Sequence, residues 1–131
     1  MRKTTAFLVI SLFLLAACVP QQAPTETQVP EGSIIVEVTS TGFSPNPLTV
    51  KQGDTVTWIN KDTESHWVAS AVHPSHNEYP ETGGCIGSKF DSCKRLGQGD
   101  SWSFTFNTKG SWRYHDHLNP AAPFFGTVVV E

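Results

Sequence analysis

The chain is expected to fold as an antiparallel β-sandwich or barrel, an all-β class, on three observations. Short runs rich in β-branched and aromatic residues recur at regular intervals, and Gly and Pro punctuate them. Outside the N-terminal apolar segment, no stretch sustains the 3.6-residue apolar period of an amphipathic helix. Residues 33–38 (Ser-Ile-Ile-Val-Glu-Val) form a first strand, bounded by a polar segment on one side and Ser40-Thr41-Gly42 on the other. Asn46-Pro47-Leu48-Thr49-Val50 leads to the turn Lys51-Gln52-Gly53-Asp54, after which residues 55–60 alternate as a second core-lining strand. Another strand starts at His66-Trp67-Val68-Ala69-Ser70. Gly97-Gln98-Gly99-Asp100 then turns the chain into residues 101–106, where Trp and Phe alternate with Ser and Thr. Lys109-Gly110 is one more turn, and Trp112 and Tyr114 face inward from the strand that follows it. Gly126-Thr127-Val128-Val129-Val130 is the closing strand. Trp58, Trp102, Trp112, Phe104 and Phe106 are expected in the core, while Trp67 either packs or shields a neighbouring site. Residues 73–94 lack this rhythm, and a strandless excursion of that length is usually functional or tied down by a crosslink.

The N-terminus reads as an export signal. Arg2 and Lys3 supply a positive start, Ala6 to Leu15 an apolar run too short to span a bilayer comfortably, and Leu15-Ala16-Ala17-Cys18 a small-residue cleavage site. This resembles a bacterial or archaeal lipoprotein signal, which implies that Cys18 becomes the lipidated N-terminus and ties the protein to the extracytoplasmic side of a membrane. The expected organisation is a leader over 1–17, an anchor and flexible tether over 18–32, and one folded domain over 33–131. With Cys18 assigned to the anchor, Cys85 and Cys93 remain as an even pair in an exported domain, which favours a disulfide over two thiolate metal ligands. The net charge of −3 becomes more negative once Arg2 and Lys3 leave, so no basic patch suggests nucleic acid.

His115-Asp116-His117 carries the chemistry. Residues two apart on a strand share a face, so the imidazoles point together and Asp116 points the other way. Paired neutral imidazoles suit copper, zinc or nickel; the alternative is a pair of histidines on a solvated strand. All five histidines fall into three clusters: His66 after the second core strand, His73 and His76 in the long loop, and His115 and His117 on the late strand. Asp62, Glu64 and Asp91 read as solvated, and with no carboxylate pair and no Gly-x-Ser-x-Gly turn a hydrolase has no support.

Several segments together resemble the cupredoxin (plastocyanin/azurin) family: Gly42-Phe43-Ser44-Pro45, residues 50–58, Asn60-Lys61-Asp62 followed by His66, and Gly110-Ser111-Trp112-Arg113-Tyr114 through Gly126-Thr127-Val128-Val129-Val130. The resemblance implies a Greek-key β-sandwich holding copper at one end, with His66 as a ligand by position. It also implies a cysteine where Asp116 stands and a histidine where Asn119 stands. The only methionine is Met1, in the leader, so no axial thioether is on offer either. A blue centre needs the thiolate, so this chain is expected to hold copper in another way. The same stretch is similar to the His-x-His segment of multicopper oxidase domains, whose histidines ligate copper on the outer strand face.

Two sites follow. One would use His66 with Asp116 or Asn119; the other would use His115 and His117 with His73 or His76 brought over by the loop. Parity favours the second, because His73 lies an odd number of residues from His66. Asp116 is then expected to orient an imidazole rather than bind metal. The expected function is a membrane-tethered, non-blue copper protein in copper handling or electron transfer with a redox-protein partner. The alternatives are a small copper oxidoreductase acting on dioxygen, superoxide or a nitrogen oxide, with a homo-oligomer sharing the site, and a metal-free interaction domain.

Overall fold

Alternation of buried and exposed side chains fixes the strands. The computed structural model describes residues 32–131; the expected leader, the lipidation site Cys18 and the tether up to residue 31 lie outside the described residues. The elements are β1 (Ile34–Thr39), β2 (Gly42–Ser44), β3 (Leu48–Val50), β4 (Thr55–Asn60), β5 (Val68–Ser70), β6 (Ser101–Thr105), β7 (Gly110–Asp116) and β8 (Phe125–Val130). They form two four-stranded sheets, ordered β2-β1-β4-β6 and β3-β8-β7-β5. After β2 the chain crosses to the second sheet as β3 and returns as β4, which therefore runs parallel to β1; β3 likewise pairs parallel with β8. The remaining pairings are antiparallel, so the expected all-β sandwich is present with mixed sheets.

Val36, Val38, Val56 and Trp58 from one sheet meet Tyr114, Val128 and Val130 from the other. Trp58 is at the centre, its ring 5.5 Å from both Phe90 and Tyr114 and 5.4 Å from Trp102. Of the five aromatic residues expected inside, Trp58 and Phe106 are fully buried, and Trp102, Phe104 and Trp112 pack half-buried against them. Fully burying each large apolar side chain contributes about 1.5–3 kcal/mol. Tyr114 lies flat across Gly126, its register partner, so closely that a β-carbon there would collide with the phenol ring. Gly126→Ala is therefore expected to displace Tyr114 and cost about 1–3 kcal/mol, read as a shift in the denaturation midpoint.

The strand expected from His66 is shorter than its apolar run, because His66 makes only an isolated bridge to Leu96 and regular pairing begins at Val68. The segment from β5 to β6 contains no named strand, yet it contributes Tyr79, Phe90 and Leu96 to the core. A disulfide between Cys85 and Cys93 closes part of it, as the cysteine count suggests. Glu78 holds another part to β7: its carboxylate takes three hydrogen bonds from the Arg113 side chain, two from Nε at 3.1 Å and one from Nη2 at 2.6 Å, and one from the Arg113 backbone at 3.0 Å. The loop thereby inserts Tyr79 and Phe90 into the core while its turn at residues 73–76 lies beside His115 on β7.

Candidate metal centre

On β7 the side chains alternate, sending Tyr114 and Asp116 toward the sandwich interior and Arg113 and His115 to the outer face. His117 follows β7 in the same sense, its backbone N–H donating to Trp67 O at 2.7 Å. The other two imidazoles come from the turn after β5. His76 N–H donates to Val72 O at 2.8 Å, a single closed turn that brings His73 and His76 to one side. His76 has a left-handed backbone, φ 50°, held by a 2.9 Å hydrogen bond from Ser88 N–H to its carbonyl.

The loop thus delivers both of its histidines to the strand pair. One ligating nitrogen from each of His73, His76, His115 and His117 lies within 4.8 Å of the other three. His73 Nδ1 is 3.3 Å from His115 Nε2, and His76 Nε2 is 2.9 Å from His117 Nδ1. Metal–nitrogen bonds of about 2.0–2.1 Å place neighbouring donors of a four-coordinate ion about 2.9–3.4 Å apart. Both separations fall in that range, and an all-imidazole set suits copper, zinc or nickel.

Surrounding groups prepare these rings. His76 Nδ1–H donates to Asp91 Oδ2 at 2.6 Å, which fixes the tautomer and leaves Nε2 free to face the other imidazoles. Asp91 Oδ1 in turn accepts from the Trp67 indole at 2.6 Å and from Cys93 N–H at 2.8 Å. Trp67 lies against His117, ring centres 4.9 Å apart, and so shields that side of the cluster. Asp91 is therefore a correction to the solvated reading: its side chain is fully buried and pairs with the His76 ring. Its only hint in the sequence was its place between Phe90, a core residue, and the bridged Cys93.

Burial pushes His115 down to about 4, and the neighbouring His76, His73 and His117 add to this against the opposing pull of Asp116. His117 is lowered as well, by burial first and then by His76 and His73. Both rings are thereby kept neutral, as metal ligation requires. For the metal-free protein the sign follows: the unfolded chain binds the proton below pH 6.5, while folded His115 accepts it only near pH 4. The contribution is complete above pH 6.5 and is lost as pH falls through about 4. Thermal melts are expected to show a falling Tm across that window, and His115→Gln is expected to flatten the slope.

His66 is not one of the four. It sits on the other face of β7, where Nδ1 meets Asp116 Oδ2 at 2.9 Å and Nε2 meets Asp62 Oδ2 at 3.2 Å. Asp116 thus orients an imidazole as expected, but that of His66, and its Oδ1 also takes the N–H groups of Trp67 and Leu118. Asp62, read as solvated, is partly buried against His66. Asn119 donates its backbone N–H to Asp116 O in a turn, and its side chain is exposed. All four clustered donors belong to one chain, so the set needs no second copy to be complete.

The plastocyanin/azurin family model for copper binding proteins matches residues 30–131. Amicyanin from Paracoccus denitrificans is 29% identical over 116 residues, covering 88% of this chain and 79% of that protein. Plastocyanin from Scenedesmus fuscus is 27% identical over 99 residues, covering 68% and 86%. A solved structure of an amicyanin variant in the reduced state superposes with a TM-score of 0.61 at 30% identity, over 84% of this chain and 97% of that one. A purple cupredoxin from Nitrosopumilus maritimus matches in fold, with a TM-score of 0.60 at 22% identity over 76% and 100%. With the sandwich, the strand order and the match from residue 30 to the C-terminus in place, the chain belongs to the plastocyanin/azurin family of copper binding proteins.

Proposed function

We propose that this chain is an extracytoplasmic, lipid-anchored copper protein that binds its ion through His73, His76, His115 and His117 instead of a thiolate. The observation that carries this reading is the convergence of four imidazole nitrogens within 4.8 Å, with His76 and His115 buried and His76 braced by Asp91. Bound copper would supply a one-electron couple, and the protein's own groups do the rest. Asp91 fixes the donor orientation of His76, Trp67 covers His117, and Glu78 with Arg113 holds the loop against β7. His73, the most exposed of the four, gives the centre an edge at the surface, as electron exchange with a redox-protein partner requires.

A second reading, a small oxidoreductase acting on dioxygen, superoxide or a nitrogen oxide, draws on one observation. A cavity of about 390 Å³ lies beside His73 and His115, bordered by Val72, Phe125 and Arg113. Copper loading of the full chain followed by elemental analysis and visible spectroscopy tests the primary reading. One copper per chain without an intense thiolate band is expected. No retained copper, or an intense blue colour, would sink it. Turnover of superoxide or nitrite by the loaded protein would favour the second reading.

A further inference from the structure

The outer face of the second sheet carries a groove next to the four imidazoles. Antiparallel register sets His115 opposite Phe125 and Arg113 opposite Thr127, with all four side chains on that face. The chain leaving β5 supplies the facing wall: Ala71 N–H donates to Arg113 O at 2.9 Å, and Val72 and His73 follow it. Between the walls lies the cavity of about 390 Å³, a size that suits one small ligand. Val72 is 54% exposed and Phe125 50%, the large apolar side chains left in water among the described residues, and both border this cavity. Either alone would be unremarkable on a surface; side by side over a concave site they mark a place where something binds. On the copper reading above, we propose that this groove binds a small uncharged aromatic alcohol of the hydroquinone class, the electron donor to the four-imidazole centre.

The walls select the ligand. Alanine, valine and phenylalanine side chains cover a ring well, whereas an anion such as nitrite or superoxide would give up water for carbon. Arg113 is the lining residue that carries a permanent charge, and Glu78 already takes its Nε and Nη2. Phe125 adds an aromatic face or edge for the ligand ring. His73 and His115 both border the cavity, so a ring seated there lies against two of the four imidazoles. The chemistry balances over two copper-loaded chains. Hydroquinone becomes benzoquinone by losing two electrons and two protons; each chain takes one electron, Cu(II) becoming Cu(I), and water takes the protons.

The test begins with the full chain free of metal, titrated with hydroquinone without oxygen and followed by amide NMR. The para hydroxyls of this probe do not chelate, so its binding reports the groove rather than an ion. Saturable shifts are expected at Val72, Phe125 and Thr127, and sodium nitrite is expected to leave those amides unmoved. Val72→Ser with Phe125→Ser should weaken binding at least about tenfold. Thr127→Phe, which fills the groove from the strand side, should block it too and keeps the test decisive if the serine pair folds poorly. In the copper-loaded chain, loss of the Cu(II) paramagnetic signal should saturate with hydroquinone in wild type and become slow and linear in the serine pair. A chain that retains no copper but binds hydroquinone would sink the copper reading and the donor role while leaving the ring site in place. No saturable binding to the metal-free chain, equal binding by the serine pair, or shifts with nitrite alone overturns the proposal.

Discussion

Replacing His115 and His117 together with alanine is expected to abolish stoichiometric copper binding while leaving the sandwich folded. Two of the four donors leave, and His73 and His76 alone belong to a loop with no strand to fix their separation. The loss should exceed the roughly 10–100-fold that removal of a supporting group costs in metal affinity. Asp91→Asn supplies that comparison, because it keeps the shape of the group that orients His76 but weakens the acceptor. Competition against a chelator of known affinity measures both. In the metal-free variant the fall of stability between pH 6.5 and about 4 should be smaller, since His115, buried and held down to about 4 in the folded chain, is one of the groups that causes it. A variant that still binds one copper tightly would show that the ion is held elsewhere.

Asp116→Ala is expected to do the opposite, costing stability and sparing copper. The carboxylate is 1% exposed and accepts three hydrogen bonds, from the His66 ring and from the backbone N–H groups of Trp67 and Leu118. Deleting it strands three donors next to the core, and removal of one partner from such a buried set costs about 3–5 kcal/mol. Asp116→Asn keeps an oxygen for the two backbone groups and should recover much of the loss. Denaturant midpoints give the stability term, and copper affinity of the refolded variants gives the other. Because Asp116 faces away from the four imidazoles, its affinity change should be small beside that of the histidine pair. A large copper loss in Asp116→Ala with little destabilisation would place the ion on the aspartate side of β7.

Much of this was readable in the sequence wherever period two was clean. β4 occupies residues 55–60 as expected, because Gly53-Asp54 forms a tight turn and the Val-Thr-Trp alternation leaves one face to bury. β2, only three residues long, lies where the sequence shows just a bounding turn; its pairing with β1 comes from the hairpin at residues 40–41, and it is too short to show alternation. The pairing of His115 with His117 followed from strand geometry alone. The arrival of both His73 and His76 did not, since the loop has no period and its path is set by Arg113–Glu78, the disulfide and the Ser88–His76 hydrogen bond. The burial of Asp91 is hidden for the same reason: a loop aspartate is ordinarily solvated, and only tertiary contacts with Trp67 and His76 show otherwise. The family resemblance implies His66 as a ligand and a cysteine where Asp116 stands; here the Asp116 carboxylate lies 2.9 Å from His66 Nδ1.

A crystal structure of the copper-loaded chain with an anomalous difference map at the copper edge decides between the two faces of β7. The strongest peak is expected among His73, His76, His115 and His117, within bonding distance of their facing nitrogens. A peak between His66 and Asp116, with the four clustered imidazoles left metal-free, would contradict it.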